Sequence, residues 1–378
     1  MASGLYLTLL MGPMVPVPVP KVLIDALTSV EVTVASGQQS GFQIVFTLAD
    51  RSPLQTLFLL MGNSPVAIWR VVLTATVGGI PQVLIDGIVQ HHEVAPDAMT
   101  GSAKLTLSGK DLTALMDLQQ FPGLPFPGMG PDVRVLTMLG KYAAFGVIPA
   151  VMPILSPDIS VPTERIPSQK GTDFAYINQL ASENGYVFYL IPGPLPGSSQ
   201  AYWGPEIRVG IPQPALNVNM DSWTNVESLN FRYAPETAVT PIVYIQDPLT
   251  GTTVPVSIPS INPLSPPMGL VVPVPQRNEK LTDTAKLTPA QALMLGFAKA
   301  TQTGDVVFGD GTIDVLRYGQ ILNSRQLVGV RGAGIAFDGL YYVDSTTHSI
   351  KVGEYKQSFK LKRNALVANT PFVPTRAY

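Results

Sequence analysis

Residues 329–363 read GVRGAGIAFDGLYYVDSTTHSIKVGEYKQSFKLKR, and the pattern of this stretch decides the fold class. Asp338-Gly339 and Gly353-Glu354 are turn signals that divide it into three strand-like runs. In the last run two sets of residues alternate: Tyr355, Gln357, Phe359 and Leu361 against Lys356, Ser358, Lys360 and Lys362. A period of two residues is typical of a strand with one buried face. The stretch therefore predicts an antiparallel meander.

The chain is long and poor in charge. Its 378 residues exceed the usual size of one domain, so two or three domains are expected. Only 13% of the residues are charged and 46% are hydrophobic, whereas an ordinary soluble domain has roughly 25% charged residues. Part of the surface is therefore expected to be covered by protein, either by copies of the same chain or by neighbouring subunits.

Charge and apolar runs argue against two other kinds of partner. The 24 basic and 26 acidic side chains give a net charge of −2, and no cluster of basic residues offers a surface for nucleic acid. The longest apolar run, Tyr142 to Leu155, has 14 residues and is interrupted by two prolines. A membrane-spanning helix needs about 20 apolar residues. Neither nucleic acid binding nor direct membrane insertion is expected.

The absence of cysteine removes several kinds of chemistry. Disulfides, thiolate catalysis and the common structural zinc sites all need cysteine, and the chain has none. A chain without cysteine also fits folding in a reducing cytoplasm.

The first part of the chain has the pattern of a small β domain. Five strand-like runs lie between Ser29 and Ser108, with turn-forming Ser36-Gly37 and Gly78-Gly79 between them. This spacing predicts a barrel or a sandwich. A loop rich in proline and glycine, Phe121 to Pro131, follows it.

The second part mixes helices, strands and proline. Thr172 or Asp173 is expected to cap a helix that stops at Gly185, and a strand is expected from Tyr186 to Leu190. Thr288-Pro289 predicts the start of another helix. Between these helices, Ser260 to Pro275 is predicted to be an extended linker or a surface loop.

Histidines and glycines do not form a convincing active site. His91 and His92 are adjacent on a predicted strand, so their side chains point to opposite faces and cannot chelate a metal together. His348 could serve a catalytic triad with Ser345 and Asp344, but neighbours on one strand cannot converge, and a histidine paired within a sheet is the simpler interpretation. Gly329 to Gly334 lacks the G-K-[ST] ending of a phosphate loop.

Acidic residues give no stronger signal. Asp305, Asp310 and Asp314 lack the spacing of a calcium loop, and Asp310-Gly311 is interpreted as a hairpin turn. Asp173 and Glu183 could form the acid pair of a glycoside hydrolase, but their separation cannot be derived from sequence. No catalytic residue, metal or cofactor is therefore expected.

Two regions resemble the tail-hub proteins of contractile phages and contractile injection systems, the late control gene D family. In the meander the resemblance is carried by Gly332, Gly334, Phe337, Gly339, Tyr341, Tyr342, Val343, His348, Gly353, Glu354, Tyr355, Phe359 and Arg363. About 140 residues earlier, the unit DFAYINQLASENGYVFYL carries it through Asp173, Phe174, Leu180, Ala181, Asn184, Gly185 and Tyr186. The resemblance spans most of the chain.

The resemblance implies a structural role. Hub proteins of this family are homotrimers in which each subunit contributes two tube-like β domains, so that three chains form a pseudo-sixfold ring. That ring joins the hexameric inner tube to a trimeric spike at the centre of a baseplate. Because no oligonucleotide-fold domain or β-helix follows the meander, the spike is expected to be a separate protein. The subunit would be made in the cytoplasm and incorporated into a phage tail or an injection-system particle.

The expected fold is β-rich α+β, with two tube-like antiparallel barrel or sandwich domains, a few helices and an inserted proline-rich segment. The expected divisions are 1–120 for the first tube-like domain, 121–167 for a helical, proline-rich connector and 168–258 for the second tube-like domain. Residues 259–287 are the proline-rich linker or loop, and 288–378 are a helix and the closing meander that complete the tube domains.

Two other functions stay open. A peptidoglycan or glycan hydrolase of a baseplate would need an acid pair, and a carbohydrate-binding β protein would need an exposed aromatic platform, for which Trp203 with Tyr202 is the candidate. The loops Phe121 to Pro131 and Ser260 to Pro275 are candidate contacts with other baseplate proteins.

Overall fold

The computed structural model describes residues 4–49, 68–97, 102–121, 123–154, 166–246, 252–263, 265–282 and 287–369. Strands dominate these ranges, and six short to medium α-helices accompany them. The prediction of a β-rich α+β fold with few helices is confirmed.

The N-terminal part is nearly all strand. Its elements are β1 (Leu5–Pro13), β2 (Val17–Pro18), α1 (Lys21–Asp25), β3 (Leu27–Ala35), β4 (Gly41–Ala49), β5 (Trp69–Val77), β6 (Ile80–Asp97) and β7 (Ser102–Asp111). The alternation that predicted strands also sets their burial: in β3, Val30 and Val32 are buried while Glu31 and Thr33 are exposed. The five predicted strand runs correspond to β3, β4, β5, β6 and β7.

The middle part contains a small helical layer against a second, three-stranded sheet. Its elements are α2 (Thr113–Met116), β8 (Leu124–Pro125), α3 (Pro131–Gly140), β9 (Val147–Val151), β10 (Ser168–Gln169), α4 (Asp173–Glu183), β11 (Val187–Pro192) and β12 (Ser199–Gly204). Strand β12 pairs antiparallel with β11 and parallel with β9. Buried residues of all three helices and of these strands form one apolar core.

The C-terminal part contains the meander. Its elements are β13 (Gln213–Asn217), β14 (Ser228–Tyr233), β15 (Val239–Gln246), β16 (Thr253–Ser257), β17 (Arg277–Lys280), α5 (Pro289–Thr303), β18 (Val307–Asp314), α6 (Val315–Tyr318), β19 (Leu327–Arg331), β20 (Gly339–Lys351) and β21 (Glu354–Arg363). The predicted start of α5 is confirmed, because Thr288 and Gln291 form a reciprocal capping box and Pro289 is the first helical residue.

One large sheet joins the two ends of the chain. Within the described ranges it has 13 strands, in the order β14-β18-β21-β20-β3-β4-β7-β6-β5-β1-β2, with β19 paired to β20 and β13 paired to β19. The antiparallel pairing of β3 with β20 runs from Ser29 opposite Lys351 to Ala35 opposite Ser345. This pairing joins an N-terminal half and a C-terminal half into one continuous, open sheet.

The closing meander is confirmed. Strands β19, β20 and β21 pair antiparallel in sequence, and Val352-Gly353 forms the second turn. The interpretation of Asp310-Gly311 as a hairpin turn is wrong, because both residues lie inside β18, between β14 and β21. A Cβ at Gly311 would lie 2.7 Å from the ring of Phe359 and closer still to the carbonyl oxygen of Ser228, so this glycine allows the close approach of both neighbouring strands rather than a turn.

The buried apolar residues form three main cores. The first lies on the N-terminal half of the sheet and also includes Val315, Ile350 and Tyr355 from the C-terminal part. The second is the helical core of the middle part, and the third lies on the C-terminal half of the sheet. The predicted domain boundaries stay predictions. Residues of the C-terminal strands help to bury the N-terminal half of the sheet, because they belong to its core.

Candidate assembly surfaces and the buried clusters behind them

A buried arginine fixes the loop that opens the meander. The Arg363 side chain is 0% exposed, and its guanidinium donates hydrogen bonds to the carbonyl oxygens of Asp338 at 2.8 Å and Ala336 at 2.5 Å. The same group lies 4.5 Å from the ring centre of Tyr341, whose hydroxyl donates to the Phe337 carbonyl at 2.7 Å. Burial lowers the pKa of Arg363, against the effect of Tyr341. These contacts attach residues 336–338 to the end of β21.

Aromatic rings cover the outside of this loop. Phe337 stacks on Phe231 of β14, with ring centres 5.2 Å apart, and Tyr341 lies 5.4 Å from the same ring. Val343 and Phe359 are buried members of the third core, which these rings also join. Four of the meander residues that carry the family resemblance, Phe337, Tyr341, Val343 and Phe359, therefore belong to the third core or pack against it.

His348 and Tyr355 form a buried pair between β20 and β21. The His348 Nδ1 and the Tyr355 hydroxyl oxygen are 2.7 Å apart. Burial lowers the pKa of His348 to about 4 and raises that of Tyr355. The interpretation of His348 as a histidine paired within the sheet is confirmed.

A network of charges lies beside Tyr342. The Arg208 guanidinium, fully buried, contacts Asp305 at 2.6 Å and Glu206 at 3.3 Å. Lys362 contacts Glu206 at 3.6 Å, and both Arg208 and Lys362 lie over the Tyr342 ring. The network joins the segment after β12 to β18 and β21.

The second region that carries the family resemblance, here called the second signature region, begins at the start of α4. Thr172 is the N-cap residue, and its hydroxyl accepts the Ala175 N–H at 3.1 Å. The Asp173 carboxylate is buried and accepts hydrogen bonds from Lys141 at 3.0 Å and from Tyr142 at 2.8 Å. Burial and Asp173 together raise the pKa of the Tyr142 hydroxyl. These bonds connect α4 to the end of α3.

The rest of this region is packed inside the second core. Leu180 and Ala181 are buried, and Phe174 is tilted against Phe188. Tyr186 meets the ring of Trp203 edge to face, with centres 4.7 Å apart.

The remaining signature residues mark chain reversals. The Asn184 side chain donates to the Leu180 carbonyl at 2.7 Å, and Gly185 follows the helix. Gly332, Gly334, Gly339 and Gly353 all have positive φ, and Glu354 contacts Lys356 at 3.1 Å beside the last of these turns. The structure thus places the two signature regions in different cores, and their role in assembly stays a prediction.

The candidate residues for binding or cleaving sugars have other contacts in the structure. Trp203 is 0% exposed, so the predicted platform of Trp203 with Tyr202 is wrong. Burial in the second core explains the error, because aromatic residues are as typical of cores as of sugar platforms. Asp173 is occupied by Lys141, Tyr142 and Gln169, whereas Glu183 is exposed.

A buried ion pair that gives no sequence signal joins the first sheet to the middle part. Arg70 of β5 donates two hydrogen bonds to Asp86 of β6, at 2.7 and 2.6 Å. The same guanidinium reaches the carbonyl oxygens of Phe145 and Gly197 at 2.8 and 2.9 Å. Burial raises the pKa of Asp86, although Arg70 opposes that shift. Arg70 is separated from Phe145 and Gly197 by 75 and 127 positions in the sequence. No local sequence pattern could therefore identify these contacts.

Two groups of exposed apolar side chains stand out among those of the described residues. One is the end of the sheet where β1, β2 and α1 meet, with Met14, Val15, Val17 and Val22 in water. The other is the segment after β12, where Ile207, Val209 and Ile211 are exposed, the last by 94%. Surfaces of this kind are typical of contacts between proteins.

The two loops predicted to contact baseplate proteins are partly exposed. In Ser260 to Pro275, Leu270 and Val274 are exposed, whereas Met268 is buried against Leu327 and Tyr342. In Phe121 to Pro131, Leu124 is exposed. Pro122 and Leu264 lie outside the described residues.

The described ranges contain no group of three or more His, Asp or Glu side chains that could hold a metal ion. In the same ranges, no helix combines the length and the apolar content needed to span a bilayer.

The fold is similar to those of several tail proteins. The tail protein from Neisseria meningitidis MC58 matches with a TM-score of 0.61 at 14% identity, over 96% of this chain and 97% of that chain. The 43 kDa tail protein of prophage MuSo2 from Shewanella oneidensis matches with a TM-score of 0.59 at 14% identity, over 95% and 98%. No protein-family model and no curated protein matches.

A secretion-system protein has a related fold. The E. coli c3393 protein is a component of the type VI secretion system with structural similarity to the T4 bacteriophage tail proteins gp27 and gp5. It matches with a TM-score of 0.50 at 10% identity, over 93% of this chain and 76% of that chain. The chain therefore has a fold shared by phage tail proteins and a type VI secretion component.

Proposed function

We propose that this protein is a structural hub subunit at the centre of a contractile tail or injection-system baseplate. In this role three copies form a ring that joins the hexameric inner tube to a trimeric spike. The ring is expelled with the tube when the sheath contracts. The protein does no covalent chemistry in this role, and its work is mechanical.

The observation that carries the proposal is the similarity of the whole fold to tail proteins, which covers nearly all of both chains. The internal architecture supports it, because one subunit contains two β halves joined by β3 and β20. Three subunits with two halves each would provide six units. This number matches the sixfold symmetry of a tube above and the threefold symmetry of a spike below.

The surface supports the same proposal. The chain has 13% charged residues, and apolar side chains such as Val15, Val17 and Ile211 lie exposed. Burying them against copies of the chain, the tube, the spike or other baseplate proteins would remove an unfavourable contact with water.

Light scattering on the purified protein tests the proposal. The subunit mass is 40.4 kDa, so a closed trimer is expected at about 121 kDa. If the protein alone is monomeric, the measurement is repeated with the spike protein of the same particle. A chain that stays monomeric in both experiments contradicts the hub proposal.

A further inference from the structure

One cavity in the C-terminal half has a composition that the hub role does not explain. Its volume is about 560 Å³, and its walls come from β13, the 3₁₀ turn Asp221–Trp223, α6 and β19. A cavity of this size is within the range of small-ligand sites. Its lining includes Asn217, Met220, Trp223, Arg317, Tyr318 and Arg331.

Two arginines bring positive charge to this cavity without a counter-ion. Within the described ranges, the side chains of Arg317 and Arg331 have neither an ion pair nor a hydrogen bond, and the cavity lining includes no acidic residue. Arg70 and Arg208, by contrast, are each paired with a buried aspartate. Two guanidiniums on one cavity attract an anion, and a carboxylate or a phosphate matches their planar fork.

The cavity also has a wall that an anion alone would not contact. Trp223 is 64% exposed and lies beside Met220, so the cavity also offers an apolar wall.

Hydrogen bonds hold this cavity in shape without a ligand. Asn225 accepts the Asn217 N–H at 2.7 Å and donates to the Ala215 carbonyl at 3.0 Å. The Tyr318 hydroxyl donates to the Pro214 carbonyl at 2.6 Å. The backbone between them is therefore fixed, which lowers the entropy lost on binding.

We propose that this cavity binds an acidic peptide segment of a partner protein. Its carboxylates contact Arg317 and Arg331, and an apolar side chain packs on Trp223. A phosphate ion would satisfy the arginines alone and leave the apolar wall unused. The choice of a protein over an acidic sugar rests on the proposed function, which surrounds this subunit with protein partners.

The test uses two acetylated tetrapeptide amides, Asp-Leu-Glu-Phe and its uncharged analogue Asn-Leu-Gln-Phe, titrated into the full chain by calorimetry. Saturable binding is expected for the acidic peptide only. Arg317→Gln and Arg331→Gln are each expected to weaken it at least about tenfold. The matched control is Arg277→Gln, which removes an exposed arginine of β17 outside the cavity and should leave the affinity unchanged.

Several results would overturn the peptide assignment. These are equal binding of the two peptides, equal loss in the Arg277→Gln control, absence of saturable binding, or displacement by inorganic phosphate or glucuronate at the same concentration as the peptide. If a glutamine variant loses its fold by circular dichroism, Arg331→Lys keeps the charge and tests the planar fork instead. The mass of the assembly is measured separately, so a failed peptide test leaves the trimer measurement intact.

Discussion

His348 makes the stability of the protein depend on pH. Its pKa is about 4 in the fold because of burial, whereas an unfolded histidine has a pKa near 6.5. The neutral ring is thus favoured by folding, and its stabilising effect is complete above pH 6.5 and lost as the pH falls toward 4. The expected loss is about 3 kcal/mol. Urea unfolding at several pH values between 7.5 and 4 measures it.

A variant comparison isolates this effect from other groups that titrate. His348→Gln should flatten the dependence of unfolding free energy on pH across this window. His91→Gln is the control, because His91 is an exposed ring on β6. Identical slopes in the two variants would show that the buried pair does not carry the effect.

Gly332 tolerates no side chain. Its φ is +82°, and a Cβ would overlap the carbonyl oxygen of Val218 and approach the Met220 side chain at 3.0 Å. Gly332→Ala is therefore expected to lower the free energy of unfolding by about 3 kcal/mol, from backbone strain and overlap together. Gly334→Ala is the control, since its φ is +96° but nothing lies within 4 Å of its Cβ. If Gly332→Ala and Gly334→Ala lower the denaturant midpoint equally, the overlap with the Val218 carbonyl is not the cause.

At the scale of elements, α4 depends on its cap. Thr172 accepts the Ala175 N–H and also donates to Asp117 at 2.7 Å, next to the end of α2. Thr172→Ala removes both bonds and is expected to cost about 1 kcal/mol, measured by urea unfolding. Thr172→Ser keeps a hydroxyl and should recover most of this loss. A serine variant as unstable as the alanine variant would assign the effect to the lost methyl group.

Elements with local signals could be predicted from the sequence. The cap at Thr172, the capping box at Thr288 and the alternation from Tyr355 to Leu361 are properties of neighbouring residues, and α4, α5 and β21 follow from them. The turn assigned to Asp310-Gly311 failed because a glycine beside an aspartate is ambiguous. Only the neighbouring strands reveal that this glycine makes room for Phe359.

Sites built from distant parts of the chain could not be predicted. Arg317 and Arg331 give no motif. They line one cavity because β19 pairs in parallel with β13 and because Tyr318 of α6 donates a hydrogen bond to the Pro214 carbonyl of β13. Trp203 illustrates the same limit, since its burial depends on packing against Tyr186 and α4. Composition could indicate a surface covered by protein, but not which face is covered.

At the scale of the whole molecule, the pairing of β3 with β20 is the feature that makes one sheet of two halves. Thr33 and Thr347 are opposite each other in this pairing, and their hydroxyl oxygens are 3.2 Å apart. The two residues are separated by 314 positions in the chain. Because the protein has no cysteine of its own, a cysteine pair at these positions can form only one intramolecular disulfide.

The double variant Thr33→Cys and Thr347→Cys should therefore oxidise readily and fix the two halves together. Closing a loop of this length removes much of the freedom of the unfolded chain, and the entropy model gives a stabilisation of up to about 6 kcal/mol. The guanidinium midpoint of the oxidised protein is expected to exceed that of the same protein after reduction, which is the matched control. The single variant Thr33→Cys should show no dependence on reductant. If the double variant forms no intramolecular disulfide, β3 and β20 are not neighbours, and the two halves do not form one continuous sheet.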